Sequence, residues 1–197
     1  MNLSETTYMP AVYPELLRRT KEIGFDMPAD FSVGILLQTL ISSKPNGIFL
    51  ELGTGTGLSL AWMVKGMQLN SRLISLDNDE RLIEIARSAF EPEDNVELLC
   101  VDGESWISSY KREAFDLIFA DTWPGKYSLL EETLDKLKDG GYYVIDDMLP
   151  QENWPDGHEE KAKRLVKNLE ERDDFVVTKM DWSTGIIIAV KKSKYGK

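Results

Sequence analysis

Five short runs of largely apolar residues constrain the fold of this chain more than any other feature of its sequence. The runs are GIFLE (47–51), RLISLD (72–77), VELLCV (96–101), FDLIFA (115–120) and YYVID (142–146). Strands that are apolar on both faces are typical of a parallel sheet covered by helices on each side. Stretches with a helical spacing of about 3.6 residues separate the runs. The alternation predicts an α/β doubly wound sheet, with Ser128 and Glu131 spaced to cap one of the helices.

The C-terminal part adds two further strand-like runs, within DFVVTKMDWSTGIIIAVKK. Ser183, Thr184 and Gly185 separate these runs and form a short turn suited to a β-hairpin. We therefore expect a mostly parallel seven-stranded sheet of Rossmann-like type, closed by a C-terminal antiparallel hairpin. The chain has 197 residues, which suffice for one well-buried core. We predict one domain over 1–197, with an N-terminal helical segment at 1–46 and the sheet core at 47–191.

The composition narrows the class of partner. The formal net charge of -11 argues against nucleic acid, because phosphate binding needs a surplus of basic residues on one face. No apolar run approaches the roughly 20 residues that cross a bilayer, and the N-terminus lacks the pattern of a signal peptide. The single cysteine, Cys100, excludes an intramolecular disulfide and a cysteine-based metal cluster. We expect a cytoplasmic protein that binds a small molecule, with a homodimer as one option for its oligomeric state.

Three glycines at alternate positions follow the first predicted strand, in FLELGTGTGLSL (49–60). In a doubly wound sheet, ligands bind where a strand turns into its helix, and glycines there let a ligand approach the backbone. A dinucleotide fingerprint would need glycine at position 58, where the chain has Leu58. The loop is either a ligand-binding loop of another kind or a tight turn without a ligand.

The stretch ELGTGTG, from Glu51 to Gly57, resembles the cofactor loop of class I S-adenosylmethionine-dependent methyltransferases. The order of predicted elements over 31–191 is similar to theirs. The resemblance implies that Asp77 binds the ribose hydroxyls, that Ser59 meets the methionine carboxylate, and that Asp102, or its rival Glu104, contacts adenine. The implied cofactor-binding residues are Glu51, Gly53, Thr54, Gly55, Gly57, Ser59, Asp77, Asp102, Gly103 and Asp121.

Two further stretches, FDLIFADTWPGKY (115–127) and GGYYVIDDMLP (140–150), resemble the metal-dependent O-methyltransferases that include the catechol and caffeoyl-coenzyme A enzymes. The resemblance implies that Asp121, Asp146 and Asp147 hold a divalent cation, Mg²⁺, Mn²⁺ or Ca²⁺. Acidic residues are also common at strand ends, so Asp146 could instead cap a loop. Two departures from the family pattern stand out: Asp147 replaces the usual Asn, and Pro124 occupies the position of a catalytic lysine.

Two side chains are candidates for acid–base chemistry. Lys126 is the nearest substitute for the missing lysine, with a solvated surface amine as the alternative. His158 is the only histidine and a candidate general base, with an exposed position in the first turn of a helix as the alternative. Trp123 and Trp154 either form the walls of a site for a flat substrate or pack beneath a loop.

The expected function is S-adenosylmethionine-dependent O-methylation of a small hydroxylated molecule, with S-adenosylhomocysteine (SAH) as the second product. No motif in the sequence identifies the methyl acceptor. Two alternatives stay open: a non-catalytic module that binds S-adenosylmethionine, and a nucleotide-binding oxidoreductase.

Overall fold

The fold, taken from a computed structural model, is described for residues 9–91, 93–151 and 154–193. It is built around one seven-stranded sheet with the order β3-β2-β1-β4-β5-β7-β6. The strands are β1 (Ile48–Leu52), β2 (Arg72–Asp77), β3 (Val96–Cys100), β4 (Phe115–Ala120), β5 (Leu137–Ile145), β6 (Phe175–Met180) and β7 (Ile186–Lys191). Neighbours among β1 to β5 pair in parallel, and β7 runs antiparallel to both β5 and β6. The predicted α/β sheet with its closing hairpin is confirmed.

Within the described residues, two helices precede β1, and each connection from β1 to β6 contains one helix. The helices are α1 (Tyr13–Glu22), α2 (Phe31–Ser42), α3 (Leu58–Gly66), α4 (Glu80–Phe90), α5 (Gly103–Ser109), α6 (Leu130–Asp135) and α7 (His158–Glu170). Helices α1 and α2 lie within the predicted N-terminal helical segment, of which residues 1–8 are outside the described residues. Across the described ranges, no helix is both long and apolar enough to cross a membrane.

Apolar side chains on the two faces of the sheet form two separate cores, as strands buried on both faces require. Phe49 of β1 packs with side chains from α1 to α4, which include Leu16, Leu37 and Phe90. The next residue along β1, Leu50, belongs to the second core, to which α5, α6 and α7 contribute Ile107, Leu134 and Leu165. The molecule therefore has three layers, with the sheet between two groups of helices.

Two local predictions were wrong at the start of β5 and of α6. The spacing of Leu130, Leu134 and Leu137 predicts one helix, but Leu137 begins β5, whose register against β4 shifts between Phe115 and Leu117. Ser128 does not cap α6, because Leu129 takes the N-cap position with a left-handed φ of 53° and no side-chain cap. Both errors fall where the backbone leaves regular geometry.

The sheet register brings the ends of four strands into one row. Leu52 of β1 pairs with Leu76 of β2 and Ala120 of β4, and Ala120 pairs with Ile145 of β5. The next residues of these strands are Gly53, Asp77, Asp121 and Asp146. Because parallel strands end at the same edge, residues from separate parts of the chain meet there.

Candidate active site

The glycine loop after β1 has a left-handed backbone at Gly53, Gly55 and Gly57, with φ values of 100°, 52° and 92°. A Cβ at position 53 would lie 2.8 Å from the carbonyl oxygen of Asp121, and one at position 57 would lie 3.1 Å from Cβ of Ala86. Close packing of the protein itself therefore requires glycine at these two positions. At Gly55 a Cβ would meet only the ring of Phe25, at an ordinary 3.5 Å. Packing therefore leaves room for a side chain at position 55, and only the left-handed φ favours glycine there.

Asp77 ties the loop to the end of β2. Its Oδ2 accepts a hydrogen bond from the backbone N–H of Gly55 at 2.9 Å, and its Oδ1 accepts one from the N–H of Asp79 at 3.1 Å. The side chain is half-buried. Because each carboxylate oxygen can accept more than one hydrogen bond, Asp77 can hold the loop and still accept from a ligand. Its predicted contact with ribose stays a prediction.

A buried polar network lies beneath the loop. Glu51 is fully buried, and its two carboxylate oxygens accept hydrogen bonds from Ser59, at 2.6 Å, and from Ser75. The hydroxyls of Ser75 and Thr54 are also hydrogen-bonded, at 2.6 Å. Burial raises the pKa of Glu51 to about 7, although the two serine donors oppose the shift. The side chains of Glu51, Thr54 and Ser59 thus hold one another, and their predicted cofactor contacts stay predictions.

The predicted adenine region follows β3, where Asp102 begins helix α5. Asp102 Oδ1 accepts a hydrogen bond from the N–H of Ser105 at 2.8 Å, a contact that lowers the pKa of Asp102. Gly103 is buried against the segment after β4, since a Cβ there would lie 2.9 Å from Cβ of Pro124. Pro124, which occupies the family's lysine position, therefore contributes to packing. Glu104 is exposed at the same corner of the molecule.

Three aspartates follow β4 and β5. Asp146 is only 1% exposed, and its Oδ1 accepts hydrogen bonds from Thr184 and, at 2.7 Å, from the N–H of Asp147. Burial raises the pKa of Asp146 to about 6. Burial raises the pKa of Asp121 well above its usual range, and the charges of Asp146 and Asp147 raise it further. The region therefore concentrates negative charge in a poorly solvated place.

The three aspartates do not form the ligand set that the resemblance implies. Among the described residues, no three side chains of His, Cys, Asp or Glu are placed to share a metal ion. Asp146 Oδ1 already accepts from two donors. The φ of 55° at Asp147 is a left-handed value that Asp and Asn tolerate better than most residues. An Asp or Asn at position 147 therefore has a conformational reason unrelated to metal binding.

Lys126 is buried at the ends of β4 and β5, not solvated at the surface as the sequence alternative held. Lys126 is only 4% exposed, and its Nζ donates to the carbonyl oxygen of Asp146 at 2.6 Å. Burial lowers the pKa of Lys126, and the charges of Asp121, Asp147 and Asp146 oppose that shift. The alternative of a solvated amine was wrong.

His158 begins helix α7 and is 7% exposed, so the alternative of an exposed histidine was also wrong. Its Nε2 lies 3.1 Å from the hydroxyl of Tyr127. The rings of Trp154, Tyr127 and Trp123 surround the imidazole, with centroid distances of 4.4, 5.0 and 5.7 Å. Burial lowers the pKa of His158, and the charges of Lys126 and Lys161 lower it further. Both effects favour the neutral form of the imidazole.

Residues that the sequence did not single out complete this region. Tyr127 joins His158 to the segment after β4, and burial raises the pKa of its phenol to about 12. A groove of about 400 Å³ runs between this segment and α7. Its walls comprise Glu104, Trp123, Lys126, Tyr127, Ser128, Leu130, Lys161, Arg164, Leu165 and Asn168. The α7 residues among them are spaced three and four apart, which places them on one face of the helix. This spacing does not indicate which part of the molecule that face contacts.

Comparisons with known proteins agree with this geometry. The family model described as a methyltransferase domain matches residues 50–148. A Mycobacterium leprae relative that carries the name O-methyltransferase is 27% identical over 118 residues, which cover 58% of this chain and 52% of the relative. A Thermoplasma volcanium relative named as a cobalt-precorrin-6B C(15)-methyltransferase is 32% identical, with 52% of this chain and 51% of the relative covered. The chain thus spans about half the length of these curated relatives.

Among solved structures, the O-methyltransferase from Bacillus cereus in complex with SAH has a TM-score of 0.80 and 22% sequence identity. The match covers 98% of this chain and 94% of that chain. At this identity the likeness establishes a shared fold.

Proposed function

The chain belongs to the methyltransferase domain family, and we propose that it transfers a methyl group from S-adenosylmethionine to a hydroxyl oxygen of a small molecule. One observation carries the proposal. The loop N–H of Gly55 donates to Asp77 in the row of strand ends, and the protein's own packing leaves room beside this glycine, with the nearest atom 3.5 Å from its Cβ position. A cofactor laid across this row would reach from the loop to the ends of β4 and β5.

In the proposed complex, the cofactor contacts the loop backbone at Gly53, Gly55 and Gly57, and the start of α3 offers unpaired N–H groups to the methionine carboxylate. Asp77 accepts from the ribose hydroxyls. Asp102 and Gly103 border the adenine, and Asp121 borders the methionine part. Glu51, Thr54 and Ser59 act beneath the loop as positioning residues, because their side chains bond to one another and to Ser75.

The proposed reaction is a direct displacement. The acceptor oxygen attacks the methyl carbon, the carbon–sulfur bond breaks with its electron pair going to sulfur, and SAH leaves. The main task of the enzyme is to hold the two reactants in line. The proton of the acceptor passes to Tyr127 as the Tyr127 hydroxyl proton moves to Nε2 of His158. The 3.1 Å contact between these groups and the neutral imidazole support this relay.

A divalent cation is left out of the proposed mechanism because the donor set does not fit one. Among the described residues, no three side chains of His, Cys, Asp or Glu are placed to share a metal ion, and a buried amine lies at the same strand ends. In related metal-dependent enzymes the cation lowers the pKa of the acceptor hydroxyl and orients it. Here the proposal assigns orientation to the groove and proton removal to Tyr127 and His158.

Calorimetric titration with SAH tests the cofactor part of the proposal. Asp77→Ala should weaken binding by about tenfold to hundredfold, the loss expected for hydrogen bonds to a charged group. Asp79→Ala is the matched control, because Asp79 caps α4 through the N–H of Arg81 and has no proposed ligand contact. Equal SAH affinity in wild type and Asp77→Ala, or tight NADH binding without SAH binding, would overturn the proposal.

A turnover assay separates the enzyme from a binding module. With S-adenosylmethionine labelled in its methyl group, a panel of catechols and hydroxylated aromatic acids should yield a labelled product. Pro124 favours the second candidate, a non-catalytic module, since it removes the lysine that the related enzymes use and packs against Gly103. SAH binding without transfer to any acceptor would favour the module.

Two predictions from composition concern the protein in its cellular setting. We propose a cytoplasmic location from the composition, and a homodimer stays one option for assembly. Light scattering of the purified chain measures its mass directly and decides the second point.

A further inference from the structure

We propose that the ammonium group of Lys126 takes the place that a divalent cation holds in the metal-dependent O-methyltransferases this chain resembles. The inference concerns charge balance at the ends of β4 and β5, and it does not depend on the proposed methyl transfer. In this view the site carries its own fixed cation. The chain should then bind no divalent metal there.

The position of Lys126 supports this role. The residue is 4% exposed, and its Nζ donates to the carbonyl oxygen of Asp146 at 2.6 Å. Isolated burial of an ammonium group costs several kcal/mol, so it needs nearby negative charge. The carboxylates of Asp121, Asp147 and Asp146 supply that charge, and each acts on Lys126. These are the side chains that the resemblance assigns to the metal.

The segment before Lys126 fixes the amine in this position. Gly125 has a φ of 81°, its N–H donates to the carbonyl oxygen of Ser128 at 2.8 Å, and its own carbonyl accepts from the hydroxyl of Tyr143. A Cβ at position 125 would lie 2.3 Å from a methyl carbon of Leu52. The turn is therefore pressed onto the strand ends, and the lysine that follows it is directed beneath them.

Lysine and metal compete for the same space and the same charges. A divalent cation needs several oxygen ligands with free lone pairs, whereas Oδ1 of Asp146 already accepts from Thr184 and Asp147. An ammonium held at the carbonyl oxygen of Asp146 also repels a second cation by Coulomb's law, and burial strengthens that repulsion. The proposed role of Lys126 agrees with the absence of a three-carboxylate ligand set among the described residues.

Titration of the full chain with Mn²⁺ tests the inference. Binding is measured as loss of the free-ion signal in electron paramagnetic resonance. Wild type should show no binding up to about 1 mM Mn²⁺, and its melting temperature should be equal in Mg²⁺ and in chelator. Lys126→Met removes the charge but keeps the length of the side chain. It should bind Mn²⁺ at least tenfold more tightly than wild type does, and Asp121→Asn in that background should abolish the gain.

Two further variants keep the test decisive. Lys161→Met removes a charge from the wall of the groove and should behave as wild type does. Lys126→Gln replaces the methionine variant if that protein does not fold, and it should gain Mn²⁺ binding in the same way. Stoichiometric Mn²⁺ binding by wild type that Asp121→Asn abolishes would overturn the inference, and so would a folded Lys126 variant with no gain.

Discussion

Two regions at the strand ends differ in whether their buried polar groups have hydrogen-bond partners. Under the glycine loop, at the ends of β1 and β2, the carboxylate of Glu51 accepts from two hydroxyls, and a third hydroxyl completes the network. At the ends of β4 and β5, carboxylates and an amine lie together, and Nδ1 of His158 has no hydrogen-bond partner. The first region is polar and satisfied, whereas the second is charged and incompletely satisfied.

This difference in hydrogen bonding indicates different roles for the two regions. Satisfied networks rigidify a structure, so the loop region presents fixed backbone groups to a ligand. Groups with strongly shifted pKa values concentrate at functional sites, where a ligand or a reacting proton completes them. We therefore expect substitutions near the loop to change stability and cofactor affinity, and substitutions near His158 to change turnover.

The largest effect should come from Gly53→Ala, because Gly53 is where the two regions touch. The added Cβ would lie 2.8 Å from the carbonyl oxygen of Asp121, on a backbone with a φ of 100°. Strain and overpacking together should lower the free energy of unfolding by about 2–5 kcal/mol. Urea denaturation measures the change. Gly55→Ala is the control and should cost about 1–2 kcal/mol, since only the left-handed φ opposes it. Equal losses would show that the two regions are not in rigid contact.

The next effect is the pH dependence that Glu51 imposes. Its pKa rises from 4.5 in the unfolded chain to about 7 in the fold, so the folded state binds the proton more tightly. The associated stability is fully present below about pH 4.5 and is lost as the pH rises through 7.

Between pH 5 and pH 8, wild type should therefore lose on the order of 3 kcal/mol relative to Glu51→Gln. Urea denaturation of both proteins at several pH values measures this difference, and a constant offset from the substitution itself does not affect it. Parallel pH profiles would mean that the network under the loop already stabilises the ionised carboxylate.

The third effect tests the region around His158. His158→Gln and Tyr127→Phe should each lower turnover by about a hundredfold, and the double variant should lose little more, because the two groups act as one relay. SAH affinity should stay at the wild-type value. Since burial lowers the pKa of His158 below its usual 6.5, turnover should be constant above pH 7 and fall only at a pH below 6.5. A larger change in SAH affinity than in turnover would assign this pair to the cofactor site.

The sequence predicted the loop region well because that region is built from local signals. Strand, glycine loop and helix follow one another along 48–66, and the apolar runs locate the strand ends. Glycine at positions 53 and 57 also indicates a backbone with positive φ, which glycine adopts without steric cost. The mostly parallel seven-stranded sheet with its closing hairpin was predicted as well, and the structure confirms it.

The region around His158 could not be predicted in the same way, because its burial depends on distant contacts. Lys126 is buried through the carbonyl of Asp146, and His158 through the rings of Trp123, Tyr127 and Trp154. In the sequence Lys126 resembles a surface residue because of its charge, and His158 because of its acidic and basic neighbours. Their positions follow only after β4, β5 and α7 have packed.

The hairpin turn between β6 and β7 has a consequence for the order in which the molecule is made. Thr184 donates to the side chain of Asp146, and the backbone around the turn accepts hydrogen bonds from Met148 and Leu149 at 3.0 and 2.9 Å. During synthesis on the ribosome, Asp146 emerges 38 residues before its hydroxyl partner. Domains begin to fold from the N-terminus as they are made, so β1 to β5 can pair while this acid still lacks its donor. The hydrogen bonds of Asp146 are therefore complete only after the hairpin turn has docked against the strand ends.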